Sequence, residues 1–424
     1  MTDARTIVFF PEGAYGPTNN CVGIGRVLRE RGHRIVFVVE ESFAGTLEAL
    51  GFEERLMRLG PAPDVPEVPG QFWIDFIRDT APVFRKSTLE QLGQFIAPTW
   101  QALIDGAKYV DPRLAEIFDE LAPDAIVQDN VIGFPAIAAS GRPWVRIVSC
   151  NPAELKDPAI PPFSSGYPAG DRSGWAAFLE EVRRTHADMY FDFEAFCREH
   201  GDAGLSYGPL GPDFIAESPY LNLYAYPAEV DYPRERPLGP TWHRLDSTVR
   251  APDVPLGAAG PPARAGWSVD LPLAGVARVG GREPHAASGG PAGDDGAPGH
   301  RVQGSARRRD RAPRQSDGEG FLPQPAILPQ VDLVITHGGN NTVTEALHHG
   351  KPMIVLPLFW DQVDNAQRVD ETGLGRRLST YGFRDEELTD AIDELLADEP
   401  LAARLAAMSA RIKASNGHRP GRRT

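Results

Sequence analysis

Residues Thr336 to Thr342, THGGNNT, gather a histidine, two glycines, two amides and two hydroxyls in seven positions. They follow the β-branched VDLVI (Val331 to Ile335) and lead into TVTEALHH, a helical pattern that Gly350 is placed to end. Asn341 or Thr342 then lies at or near a helix N-terminus, where backbone N–H groups lack intrahelical partners and the dipole is positive. Gly338 and Gly339 allow close backbone approach, and His337 adds a side-chain donor. Such a strand-to-helix turn can cradle a phosphate. An ordinary βα loop capped by Asn and Thr is the competing reading, and the loop alone does not separate the two.

The elements that would hold this loop read as α/β. Thr6 to Phe10 is a short apolar strand, PEGAYGPTNN a loop, and VGIGRVLRERGH a helix that Gly32 terminates. Arg34 to Val39 is a second strand, and a βαβ start implies a parallel sheet covered on both faces. An aromatic-rich helical region is expected from about Gly70 to Leu121. Ala125 to Asn130 and Pro143 to Cys150 read as buried strands with polar carboxyl ends, the edge where open α/β sheets keep their ligand crevice. A helix follows around Trp175 to His200, then the strand-like Leu221 to Pro227. The expected organisation is a first domain over 1–235, a Pro- and charge-rich linker over 236–250, an anomalous segment over 251–320, and the remainder of a second domain over 321–424.

The chain has 424 residues with a formal net charge of -15, so phosphate-backbone attraction is missing and nucleic acid is not an expected partner. Cys21, Cys150 and Cys197 lie far apart without metal-ligand spacing, which fits a reducing cytoplasm. MTDARTIVFF lacks an apolar signal core, and no run reaches transmembrane length. Neither a metal nor a cofactor is expected.

From Phe321 to Val369 the sequence resembles the donor-binding signature of glycosyltransferase family 1, which includes plant glucosyltransferases, bacterial macrolide-type enzymes and animal glucuronosyltransferases. The matching elements are FLPQ (Phe321 to Gln324), THGGNNT (Thr336 to Thr342), Glu345, Pro357, and Asp361 with Gln362. The resemblance implies a GT-B architecture, two Rossmann-like doubly wound domains facing across a cleft, with the acceptor in the first and the nucleotide sugar in the second. Phe321 would stack near the nucleobase, and Gln324 would lie near the nucleoside. His337, Gly338, Gly339, Asn341 and Thr342 would hold the diphosphate, and Glu345 would accept from ribose hydroxyls. Asp361 and Gln362 would bind the transferred sugar. The implied reaction is inverting transfer from a UDP- or dTDP-sugar, the nucleotide sugar being a co-substrate, to a small apolar alcohol or phenol. Phe72 to Phe95 could line the acceptor pocket or pack the core.

The resemblance also implies a histidine general base in the first loop, oriented by an aspartate after the fourth strand. Here Pro17 occupies the histidine position, while Asp129 matches the aspartate. Asp129 could itself take the proton, directly or through water, or Glu12 could; a polar cap at a strand end is the alternative for Asp129. His33 belongs to a turn after the helix and is rejected.

Residues 251–320 break the pattern. Roughly two thirds of them are Gly, Ala, Pro or Arg, far above ordinary usage. The strand and Gly-Ser loop that should open the second domain are not recognisable, as expected of an out-of-frame stretch from GC-rich DNA; GHRPGRRT after Asn416 reads as a similar break. A second domain weakened in donor binding is then expected, and a defective nucleotide-sugar-binding relative is the first alternative function. A nicotinamide-dependent oxidoreductase is the second, suggested only by Gly23-Ile-Gly25.

Overall fold

A computed structural model describes residues 4–61, 71–249 and 324–415. Phe321, the segment 251–320 and the residues after Ser415 therefore lie outside the described residues.

The first half is built on one seven-stranded parallel sheet. Its strands are β1 (Thr6–Pro11), β2 (Arg34–Glu40), β3 (Glu53–Met57), β4 (Ala125–Asp129), β5 (Trp144–Val148), β8 (Leu221–Ala225) and β9 (Trp242–Leu245), in the order β3-β2-β1-β4-β5-β8-β9. A small antiparallel pair, β6 (Ser206–Gly208) with β7 (Gly211–Asp213), stands apart from it. The central strands β1, β2 and β4 are apolar nearly throughout, because helices cover both faces. Those helices are α1 (Tyr15–Glu30), α2 (Gln71–Phe84), α3 (Thr88–Gln91), α4 (Ala97–Leu121), α5 (Pro135–Ala139) and α6 (Trp175–Glu199). One apolar cluster lies on each face. The first includes Val8, Val36, Ile104, Leu114 and Phe193, and the second Phe9, Phe37, Val22 and Phe52.

Two expectations require correction. The helix α1 starts at Tyr15 and not after the PEGAYGPTNN stretch, because Pro17 lies in its first turn. A missing N–H costs nothing there. Residues 236–250 are not simply a linker, since β9 extends the main sheet in register with β8, Leu223 opposite His243. Pro- and charge-rich sequence hid a four-residue strand with only Trp242 buried.

The second half carries a three-stranded parallel sheet, β10 (Val334–Thr336), β11 (Met353–Val355) and β12 (Gly375–Arg377), in the order β10-β11-β12. Its helices are α7 (Gln324–Ile327), α8 (Asn340–His348), α9 (Gln362–Glu371), α10 (Asp385–Ala397) and α11 (Glu399–Ser415). Among the described residues β10 pairs only with β11 and forms one edge. The two halves share an apolar cluster in which Tyr224, Tyr226, Val230 and Trp242 pack with Leu333, Ile335, Val355 and Leu405. Among the described residues no helix is long and apolar enough to cross a membrane.

Candidate functional site

The THGGNNT run forms the turn from β10 into α8. Gly338 has φ +89°, and a Cβ there would stand 2.6 Å from Val355 Cγ1 and 3.2 Å from the Gln362 carbonyl oxygen. A Cβ on Gly339 would meet His337 Nε2 at 2.7 Å. Only glycines let the chain turn this tightly against β11 and α9. The helix opens at Asn340, and no side chain caps its N-terminus. Its first N–H groups therefore have no intrahelical acceptor. Burial pushes the His337 imidazole down to about 4. A neutral ring donates a hydrogen bond but adds no charge, so charge compensation at this turn falls to the helix end.

Gln324, Thr342 and Glu345 converge. The Gln324 side-chain amide donates to Glu345 Oε2 at 2.6 Å and to Thr342 Oγ1 at 3.2 Å. Glu345 is nearly buried although it is charged, which a lone solvated helix face would not produce. Asn341 points the other way and donates from Nδ2 to the Gly16 carbonyl at 2.8 Å, at the start of α1.

Asp361 and Gln362 begin α9, and both are buried. Gln362 Oε1 accepts from the N–H groups of Leu358 and Phe359 at 3.1 and 3.4 Å, closing its own loop. Asp361 Oδ2 accepts from the Asn151 N–H at 3.0 Å and from Asn365 Nδ2 at 3.3 Å. Burial raises its carboxyl to about 7, and the nearby Glu154 adds to the rise. The expected sugar-binding pair thus sits directly against the first half of the chain.

Sequence reasoning missed the partners that place it there. Asn151 donates to the Asn365 side chain at 2.8 Å, and Asp364 accepts from the N–H groups of Ser164 and Gly166 at 2.7 and 2.8 Å. Ser164 and Gly166 have φ of +63° and +60°, and a Cβ on Gly166 would touch Val363 Cβ at 3.0 Å. The only available signal was Asp364, three residues after Asp361, which reads as an exposed helix face. Phe359 and Trp360 were also missed. Phe359 stacks on Phe84 at 4.9 Å, and Trp360 lies 5.3 Å from Trp100 between ring centroids. Phe84 and Phe95 of the aromatic stretch accordingly serve as packing between the halves.

At the other face of the cleft, Asp129 ends β4 opposite Pro11 of β1. It is buried, with Oδ1 accepting from Ser149 Oγ at 2.7 Å. Burial raises its carboxyl to about 8, and nearby Glu12 raises it further. Glu12 is half-buried and raised to about 7, again by burial first and then by Glu154. His33 accepts from the Arg5 N–H at 3.3 Å, before β2 and at the opposite end of the sheet. Gly23 and Gly25 lie inside α1, and a Cβ on Gly25 would press on Phe52, Ile35 and Phe37. Those glycines serve helix packing and not a dinucleotide turn at the end of β1.

A cavity opens in the first half between α4, α6 and the loops after β4 and β5. Its wall includes Trp100, Val131, Glu154, Phe163, His186 and Phe214. The Arg146–Glu154 ion pair, 2.9 Å, closes one side. Burial lowers His186 to about 4, leaving the ring neutral.

Residues 319–412 match the family described as UDP-glucoronosyl and UDP-glucosyl transferase. The zeaxanthin glucosyltransferase of Pseudescherichia vulneris is 42% identical over 97 residues, which span 23% of this chain and 23% of that enzyme. The oleandomycin glycosyltransferase of Streptomyces antibioticus is 25% identical over 456 aligned positions, covering 99% of this chain and 90% of that one. In three dimensions the chain is similar to the glycosyltransferase of kitacinnamycin, with a TM-score of 0.58 and 18% identity over 99% of this chain and 97% of that one. The fold is GT-B, and residues 319–412 are similar to the UDP-glucoronosyl and UDP-glucosyl transferases.

Proposed function

We propose that this chain transfers a sugar, with inversion, from a UDP- or dTDP-sugar to a hydroxyl of a small apolar alcohol or phenol. The observation that carries the reading is the Gln324–Thr342–Glu345 cluster beside an uncapped helix start that faces the first half through Asn341. Such a start supplies N–H donors and a positive dipole end to a diphosphate. The adjacent carboxylate suits a vicinal diol such as ribose. Glu345 would hold that diol, with Gln324 as its neighbour. His337, Asn341, Thr342 and the Gly338–Gly339 backbone would hold the phosphates, and Asp361 with Gln362 the transferred sugar. Phe321, outside the described residues, would stack near the base as the resemblance implies. The mainly apolar cavity beside Trp100, Phe163 and Phe214 suits a small apolar acceptor. A cytoplasmic location belongs to the same reading and rests on the scattered thiols.

Calorimetric titration with UDP, dTDP and NAD tests the donor side, and a mass screen with mixed nucleotide sugars and a phenol panel tests transfer. Saturable binding of UDP or dTDP with glycosylated product is expected. Binding of NAD alone, or of no nucleotide, would sink the reading. Nucleotide binding without any product favours the non-catalytic alternative.

A further inference from the structure

We propose that Glu12 is the general base of this transfer and that Asp129 is its positioning partner, together taking the place of the histidine–aspartate pair that Pro17 breaks. The inference rests on the transferase reading above and names the group that reading leaves open.

The placement comes from the sheet. Strand order runs outward from β1 to β2 and β3 on one side, and from β4 to β5 on the other. The reversal between β1 and β4 is the point where open α/β sheets keep their ligand crevice, outside the carboxyl ends of the strands. Glu12 and Asp129 both stand at that edge. Pro11 is in register with Asp129, and the Glu12 N–H donates to the Asp129 carbonyl at 2.8 Å. Chain positions 117 residues apart are thereby made neighbours at the crevice.

Three acids meet there, and their partners sort their roles. Glu154 is held by the Arg146 guanidinium at 2.9 Å, so a proton gained there would break an ion pair. Asp129 is 2% exposed, with one oxygen held by Ser149. Its Oδ2 is buried without a hydrogen-bond partner among the described residues, and so is Nδ2 of the neighbouring Asn20. The Asn20 side chain nonetheless interacts with the Asp129 carboxyl and favours its ionised form, so Ser149 and Asn20 together fix where that carboxyl sits. Glu12 has no cation and no hydrogen-bond donor on its carboxyl among the described residues. It is half-buried where Asp129 is closed off. The cavity beside them has Val131, two residues past Asp129, and Glu154 in its wall. The two carboxylates in that wall, Glu154 and Asp213, are each held by a cation, Arg146 and Lys156, which leaves Glu12, in electrostatic reach of Glu154, as the carboxylate not already paired.

The electrostatics agree with this division. Burial is the first cause for both, raising Glu12 to about 7 with Glu154 adding to it, and Asp129 to about 8 with Glu12 adding to it. Asp129 therefore keeps a proton longer, while Glu12 is poised near neutrality as a base should be. In the step, Glu12 takes the acceptor O–H proton as that oxygen bonds to the anomeric carbon. The bond from that carbon to the diphosphate oxygen breaks, its electron pair leaves with the nucleoside diphosphate, and Glu12 then releases its proton to water.

The test compares Glu12→Gln, Glu12→Asp and Asp129→Asn with two acceptors, a phenol that is un-ionised at the assay pH and a nitrophenol that is already ionised. Glu12→Gln should lose on the order of 100-fold or more in kcat with the un-ionised phenol, the usual yield of a positioned base. It should keep nearly wild-type turnover with the ionised one. UDP titration should be unchanged in that variant, which shows an intact fold. Glu12→Asp should recover part of the loss, and Asp129→Asn should lower kcat with little change in KM while leaving the acidic limb of the pH–rate profile in place, because Asp129 is still protonated when Glu12 titrates. Equal losses with both acceptors, or no loss with either, would overturn Glu12 as base while leaving the transferase reading intact. Wild-type protein that binds no nucleotide overturns the transferase reading and this inference with it.

Discussion

Asn341 Nδ2 donates to the carbonyl of Gly16 at 2.8 Å, joining two residues 325 positions apart. Gly16 lies beside Pro17, where the missing histidine is expected, and Asn341 lies in the first turn of α8, where the diphosphate is expected. One hydrogen bond therefore ties the side of the cleft proposed for the acceptor to the side proposed for the donor. Replacing Asn341 with aspartate exchanges a donor for a negative charge at that turn. UDP affinity should fall by about 1.5–3 kcal/mol, the cost of removing a hydrogen bond to a charged group. The melting temperature should fall as well, because the Gly16 carbonyl loses its donor and faces a carboxylate. Calorimetry with UDP checks it, and unchanged affinity would remove Asn341 from the phosphate site.

Glu345 gives a sharper test, because its partner would be a diol. With Glu345→Gln, affinity for UDP should drop by roughly tenfold, since a charged acceptor becomes a neutral one. A 2′-deoxy nucleotide should lose less, as it offers one hydroxyl fewer. Equal losses for the ribo and deoxy ligands would show that Glu345 supports Gln324, to which it is already bonded at 2.6 Å, without touching ribose.

The turn itself is the most brittle element. Gly338→Ala would force an alanine to φ +89° with its Cβ 2.6 Å from Val355 Cγ1. Left-handed strain and overpacking each cost about 1–3 kcal/mol. The melting temperature should fall by several degrees and UDP binding should be lost. A stable Gly338→Ala variant with normal binding would contradict the geometry.

Much of this turn was legible beforehand because local rules determine it. A β-branched run, two glycines, a helical period and a terminating glycine leave little freedom between Val331 and Gly350. The short strand β9 was not legible, since its sequence alternates weakly and its partner β8 sits twenty positions away. Long-range use of polar groups was hidden for the same reason. Nothing near Asp364 announces that Ser164 and Gly166 will fold against it with their N–H groups. Asp361 reads as a sugar ligand or a helix cap, and only the fold adds Asn151 as its partner. The expected effects of residues 251–320 fall outside the described residues; among those described, β10 has one neighbour in the second sheet, β11.

The buried acids make stability fall with pH. Asp364 is 2% exposed, and burial raises its carboxyl to about 8, well above the usual carboxylate range. Two backbone N–H groups pull it the other way and do not prevail. A carboxyl raised in the folded state binds a proton there that the unfolded chain has already released, so between about pH 4 and 8 stability drops as pH rises. Asp129 and Asp361 are raised for the same reason and act in the same direction. The contribution is full below the ordinary carboxylate range and is lost through the folded value near 8. Asp364→Asn removes one such group and keeps an oxygen that can accept from either Ser164 or Gly166. Its melting temperature should therefore be lower than wild type at pH 5, where the protonated acid costs nothing. By pH 8 the two curves should converge or cross, because the wild type then bears a buried charge worth on the order of 1–3 kcal/mol. Melting curves at half-unit steps from pH 5 to 8.5 would show this. Parallel curves for the two proteins would mean that Asp364 stays ionised throughout and that its two N–H donors outweigh burial.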